Sequence, residues 1–120
     1  MGKAVSALRS QEEALRLAKE FARKARKLCE ELGLELIAVY LVGSRARGDY
    51  RVDSDIDLVL VVKGVEKLNP LERIELFSKL LIEVPGPIEY RVYTPEEWNG
   101  PGVWMKELRR EAREIDLDPW

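Results

Sequence analysis

The sequence predicts a small α/β domain, a sheet with helices packed against it, and three observations carry that prediction. Apolar residues recur at helical spacing through the first third of the chain, from Ala14 to Leu32. Two nearly continuous runs rich in Leu, Ile and Val, Leu34 to Val42 and Asp55 to Val62, read as strands buried on both faces. A third β-prone segment, Ile88 to Tyr93, follows a second helical pattern, so helices and strands alternate along the chain.

Each element has its own local signal. Ser10 with Glu13 forms a capping box, after which Ala14, Ala18, Phe21, Ala25, Leu28 and Leu32 line one face until Gly33. The other face carries Arg16, Lys19, Arg23, Lys24, Arg26 and Lys27, the polar side that an amphipathic helix turns to solvent, with a partner-binding role as the alternative. The first strand stops at Gly43, and a polar, charged, glycine-punctuated loop leads to the second strand at Asp55. Asn69, Pro70 and Glu72 supply the cap, first-turn proline and capping-box partner of a helix continued by Leu71, Ile74, Phe77, Leu80 and Leu81 and ended by Pro85-Gly86-Pro87. After the third strand, Thr94-Pro95-Glu96-Glu97 starts a further helix, Asn99-Gly100-Pro101-Gly102 breaks it, and a last helix spans Val103 to Ile115.

At 120 residues with 46% hydrophobic content, the chain has material for one modest core, and a single domain over residues 1–120 is expected. The absence of histidine and the single Cys29 exclude zinc sites and histidine-dependent acid–base schemes, leaving oxygen ligands and a hard cation. A lone cysteine forms no internal disulfide, and no apolar run is long enough for a signal peptide or membrane span, so a cytoplasmic location is expected. Met1-Gly2-Lys3-Ala4-Val5-Ser6 fits the loose myristoylation pattern, one short enough to recur by chance. A net charge of −2 argues against bulk nucleic-acid binding. Scarce Gln, Asn and Thr beside abundant Glu, Arg and Lys lean toward a thermophile.

The informative segment runs from Val42 to Leu58. Gly43 and Ser44 leave a buried strand, where glycine lets backbone amides approach a ligand and a serine hydroxyl can donate to a phosphate oxygen; Arg45, Arg47 and Arg51 add positive charge beside them. Asp55 and Asp57 head the next strand on one face, with Cα atoms roughly 6 to 7 Å apart. Carboxylates so placed repel unless a cation joins them, and magnesium is the usual solution in phosphoryl and nucleotidyl transfer. An exposed turn is the plain alternative. A calcium loop starting at Asp53 fails because Leu58 and Gly64 stand where glycine and glutamate are needed, and a P-loop at Gly43 fails because Asp49 and Tyr50 replace its lysine and hydroxyl residue.

Gly43-Ser44, ten intervening residues and Asp55-Ile56-Asp57 on a strand resemble the signature of the DNA polymerase β-like nucleotidyltransferase superfamily. The Ser44-Arg45-Ala46-Arg47-Gly48 wording resembles its minimal nucleotidyltransferases in bacteria and archaea, and the likeness covers about Ile37 to Trp98. The resemblance implies that family's small mixed sheet with helices packed on it. It implies a site in which Gly43, Ser44 and Arg47 bind the nucleotide while Asp55, Asp57 and a third carboxylate hold two Mg2+ ions. Glu89, between Ile88 and Tyr90, fits the third place, where aspartate is more usual; Glu83 is a rival in a helical pattern. Arg91 shares a face with Glu89, as a substrate contact or a solvated end. The implied reaction transfers a nucleoside monophosphate, AMP from ATP, to a hydroxyl. The implied partner is a HEPN-domain toxin with a tyrosine as acceptor, the chain acting as its antitoxin. A non-catalytic neutraliser of the same fold, or an enzyme modifying a small molecule or RNA end, is the alternative, and a homo-oligomer is possible. Trp98, Trp104 and Trp120 fit either an interface or the core.

Overall fold

The two apolar runs become the middle of a sheet. In the computed structural model, which describes residues 5–117, the chain runs α1 (Val5–Leu32), β1 (Glu35–Val42), α2 (Ser44–Arg47), β2 (Ile56–Lys63), α3 (Pro70–Phe77), α4 (Leu80–Glu83), β3 (Ile88–Tyr93), α5 (Pro95–Trp98), α6 (Val103–Glu111) and β4 (Arg113–Glu114). The strand order is β3-β2-β1-β4. β1 pairs antiparallel with β2, Val42 opposite Asp57, and β2 pairs parallel with β3, Asp57 opposite Glu89. The sheet is therefore mixed, with helices on it, as the sequence predicts.

Alternation along β2 serves two cores. Ile56, Leu58, Leu60 and Val62 pack with α1 and with Phe77 and Leu80 of α3 and α4. Val59 and Val61 point the other way, into a smaller cluster with Trp98 of α5 and Leu108 of α6. Both faces of β2 are thus covered, which is why its sequence is apolar at every position from Leu58 to Val62. α1 presents Ala14, Ala18, Phe21, Ala22, Ala25 and Cys29 to the sheet, all buried. Burial, with Glu30 beside it, pushes the Cys29 thiol up to about 11, which makes it a packing group rather than a nucleophile.

The structure departs from the sequence expectation in four places. α1 begins at least five residues before Ser10, so Ser10 and Glu13 are not its cap: the Ser10 hydroxyl donates to the Val52 carbonyl at 2.7 Å, and Glu13 pairs with Arg16. The loop after Gly43 contains the short helix α2. The expected helix over 70–81 divides into α3 and α4 at Ser78, whose hydroxyl donates to the Glu75 carbonyl at 2.8 Å, a local bond that competes with helix continuation. The last helix stops at Glu111 instead of Ile115, because the chain turns extended at Ala112 and adds β4 to the edge of β1, with the Ile115 amide donating to Val39. The Asn69–Glu72 capping box forms as expected, and the helix expected to start at Thr94 does so with a capping box to Glu97. The pattern at Met1 to Ala4, and Trp120, lie outside the described residues.

The loop between β1 and β2 is fastened by Arg45, which is only 4% exposed. Its Nε donates to the Ser54 carbonyl at 3.0 Å, Nη2 to the Ser10 hydroxyl and the Val52 carbonyl, and Nη1 to Gln11 Oε1, while Gln11 Nε2 donates back to the Arg45 carbonyl. The guanidinium also lies over the Tyr50 ring. One side chain thus ties α1 to both ends of the loop. Arg45→Ala leaves several inward-facing acceptors unpaired and is expected to cost about 3 kcal/mol in urea unfolding. Arg45→Lys should recover only part of this, since an ammonium lacks the planar fork. A loss below about 0.5 kcal/mol, the range of ordinary surface substitutions, would contradict the fastening role.

Candidate active site

Three chain segments meet at one end of the sheet, namely the end of β1 and the starts of β2 and β3. Gly43 follows the last residue of β1 with φ 75° and ψ −158°, a backbone conformation that side chains other than hydrogen rarely tolerate. A Cβ built there would lie 2.3 Å from Asp57 Oδ2. Glycine is therefore required twice, once by the backbone and once by the carboxylate resting against it.

The parallel pairing of β2 and β3 sets Asp57 directly opposite Glu89. Burial pushes the Asp57 pKa up, Glu89 and then Asp55 add to the rise, and Arg91 opposes it. Asp55 precedes β2 and is exposed, while Asp57 is half-buried and Glu89 exposed. Among the described residues no three carboxylates are drawn into a finished metal cluster. The donor set nonetheless suits a hard divalent cation: all oxygen, mutually repelling, and costly to hold together without a positive charge. Glu83, the rival third carboxylate, is exposed on α4 and lines a different cavity from Asp57.

On the other side of Gly43 lies an anion-facing arrangement. The Gly43 amide donates to Glu111 Oε1 at 3.0 Å, and Arg47 Nη1 donates to Glu111 Oε2 at 3.0 Å, with Arg47 Nε toward Asp49 at 3.3 Å. These bonds, that to Glu111 first, push the Arg47 pKa up. Of the arginines in the loop, Arg47 is the one that reaches this cavity, since Arg45 turns inward. Gly43, Arg47, Asp57, Glu89, Arg91, Trp104 and Glu111 line a cavity of about 430 Å³, the size of a small-molecule site. Asp55 and Ser44 flank these residues in sequence without lining the cavity. Trp104 is 63% exposed, and the Arg91 guanidinium lies 5.6 Å from its ring centroid; Trp98 is instead core, stacked on Tyr40.

A family model described as a nucleotidyltransferase domain matches residues 22–113, which include every one of these groups. The chain belongs to the nucleotidyltransferase-domain family. A crystal structure of a Sulfolobus solfataricus protein assigned as a nucleotidyltransferase is 32% identical and aligns over 95% of this chain and 89% of that one with a TM-score of 0.73. A toxin–antitoxin crystal structure with AMP-PNP shares the fold at 19% identity, over 82% of this chain and 74% of that one, with a TM-score of 0.52. No curated protein matches the chain. The protein is thus a nucleotidyltransferase with the fold its sequence predicts.

Sequence reasoning missed Glu111 and Trp104 as neighbours of this site. Both lie on α6, more than forty residues after Asp57, and a heavily charged helix bears no local mark of which glutamate faces inward. The cost of crowding gives a direct test. Asp57 is harder to ionise folded than unfolded, so its charge lowers stability fully above the raised pKa and not at all below the ordinary carboxylate range. Asp57→Asn is expected to raise Tm at neutral pH, with the gain fading on acidification, and to remove any stabilisation that Mg2+ confers on the wild type. A Tm that falls at neutral pH, or an undiminished response to Mg2+, would refute this reading of the charge cluster.

Proposed function

We propose that this nucleotidyltransferase transfers AMP from ATP to a hydroxyl on a partner protein and so acts as an antitoxin, with a tyrosine of a HEPN-domain toxin as acceptor. The observation that carries the reading is the pairing of Asp57 with Glu89 against the Gly43 turn, carboxylates and a close backbone amide in one cavity. The likeness of fold to a toxin–antitoxin structure containing AMP-PNP supports the choice of nucleotide and partner. A cytoplasmic setting agrees with the absence, among the described residues, of a helix long and apolar enough to cross a membrane.

Asp55, Asp57 and Glu89 would hold Mg2+, which when bound supplies charge neutralisation and orients the attacking and leaving oxygens. Ser44, on the turn that Gly43 makes possible, and the Arg47 guanidinium bind the triphosphate and fix it for in-line attack. Glu89, the more exposed of the paired carboxylates, accepts the proton of the attacking hydroxyl. The new bond joins that oxygen to the α-phosphorus, the bond to the bridging oxygen breaks, and pyrophosphate leaves. Residues 1–120 serve as one domain in this scheme.

Incubation with Mg-ATP and a purified HEPN-domain toxin as partner tests the proposal by intact-mass spectrometry. The expected result is addition of one AMP to the partner, slowed by roughly 10²-fold or more in Asp57→Asn, comparable to removing a charge-stabilising group from other enzymes. An unmodified partner that is still neutralised, equally by wild type and Asp57→Asn, would replace the transferase reading with neutralisation by occlusion.

A further inference from the structure

Glu111 is the third carboxylate lining this cavity, beside Asp57 and Glu89, and its position is determined from both sides along the chain. It is the last residue of α6, and three residues later Glu114 pairs with Tyr40 in the edge strand β4. The side chain, 22% exposed, uses both oxygens: one accepts the Gly43 amide, the other the Arg47 guanidinium, each at 3.0 Å. Asp49 engages Arg47 at Nε, so carboxylates hold two of the three guanidinium nitrogens, and among the described residues no group engages Nη2.

We propose that Glu111 is a positioning residue for the phosphate side of the site: it does not touch the nucleotide but, braced on the Gly43 amide, holds Arg47 in the orientation that binds it. The inference rests on the nucleotidyl-transfer reading above. An exposed arginine has many rotamers, and fixing its planar fork in advance removes an ordering cost that would otherwise fall on ligand binding. A negative charge beside a triphosphate is unfavourable by itself, so Glu111 helps only through the groups it orients. The opposite possibility is physically distinct: a carboxylate resident on an anion-binding amide would compete with phosphate, and its removal would tighten binding.

The test is isothermal titration with Mg2+ and a non-hydrolysable ATP analogue on the wild type, Glu111→Gln, Arg47→Ala and the double variant, with thermal unfolding of each. Glu111→Gln retains an oxygen for the Gly43 amide and a similar shape, so it isolates the charge-assisted contact to Arg47. The expected result is a roughly fivefold to tenfold weaker Kd for Glu111→Gln, and no further loss when it is combined with Arg47→Ala, because the residue acts through that arginine. Tighter binding by Glu111→Gln would overturn the proposal in favour of a competing internal anion. Unchanged binding with a lowered Tm, or losses that add with Arg47→Ala, would reduce Glu111 to a strut. A wild type that binds no nucleotide would defeat the underlying reading together with this role, an outcome distinct from binding that the variant leaves intact.

Discussion

The structure turns on a conflict between packing and charge at the start of β2. From Leu58 onward this strand is buried on both faces, and its register with β1 and β3 follows from that burial, since a slip of one residue would exchange the contents of the two cores. The same register sets Asp57 opposite Glu89 and lays it against Gly43. Like charges are thus held together by hydrophobic contacts that do not involve them. The rest of the fold stabilises an arrangement of acidic groups whose repulsion an added cation would relieve.

Around that point the helices divide their work by face. α1 covers one side of the sheet and reaches the loop through Ser10, Gln11 and the buried Arg45, so the segment joining Gly43 to Asp55 is held although it has little regular structure. α5 and α6 cover the other side, where Arg73 of α3 pairs with Glu97 at 2.6 Å and Arg109 of α6 donates to the Trp98 and Gly100 carbonyls. Burial raises the Glu97 pKa, yet the bonds from Arg73 and Thr94 outweigh it and leave the carboxyl below its usual range. Trp104 and Arg91 lie at the exposed edge of the cavity formed by the opposite end of the sheet.

Much of this was legible in the sequence because the relevant signals are local. Continuous apolar runs marked β1 and β2, a capping box marked α3, Thr94-Pro95 marked the start of α5, and the spacing from Gly43 to Asp57 pointed to two residues that the fold brings into one cavity. What escaped were features set by distant partners. Ser10 looked like a helix cap because its hydroxyl is suited to one, but its partner is Val52. Arg45 and Arg47 are alike in type and two residues apart, yet one is core and the other faces the cavity, a distinction that the turn of α2 decides. β4 is two residues long and exists only because β1 offers an edge, so no periodicity could announce it. Glu111 gains its place by the same route, through the turn from α6 to that edge.

On the proposed reading, Asp55, Asp57 and Glu89 form with the Gly43 turn one magnesium-dependent nucleotide site. Isothermal titration of the purified chain with a non-hydrolysable ATP analogue, with and without Mg2+, beside an Asp55→Ala/Asp57→Ala variant that remains folded, tests it most directly. The account predicts binding that requires Mg2+ and is abolished in the variant. Binding that is indifferent to Mg2+ and survives loss of both aspartates would contradict it.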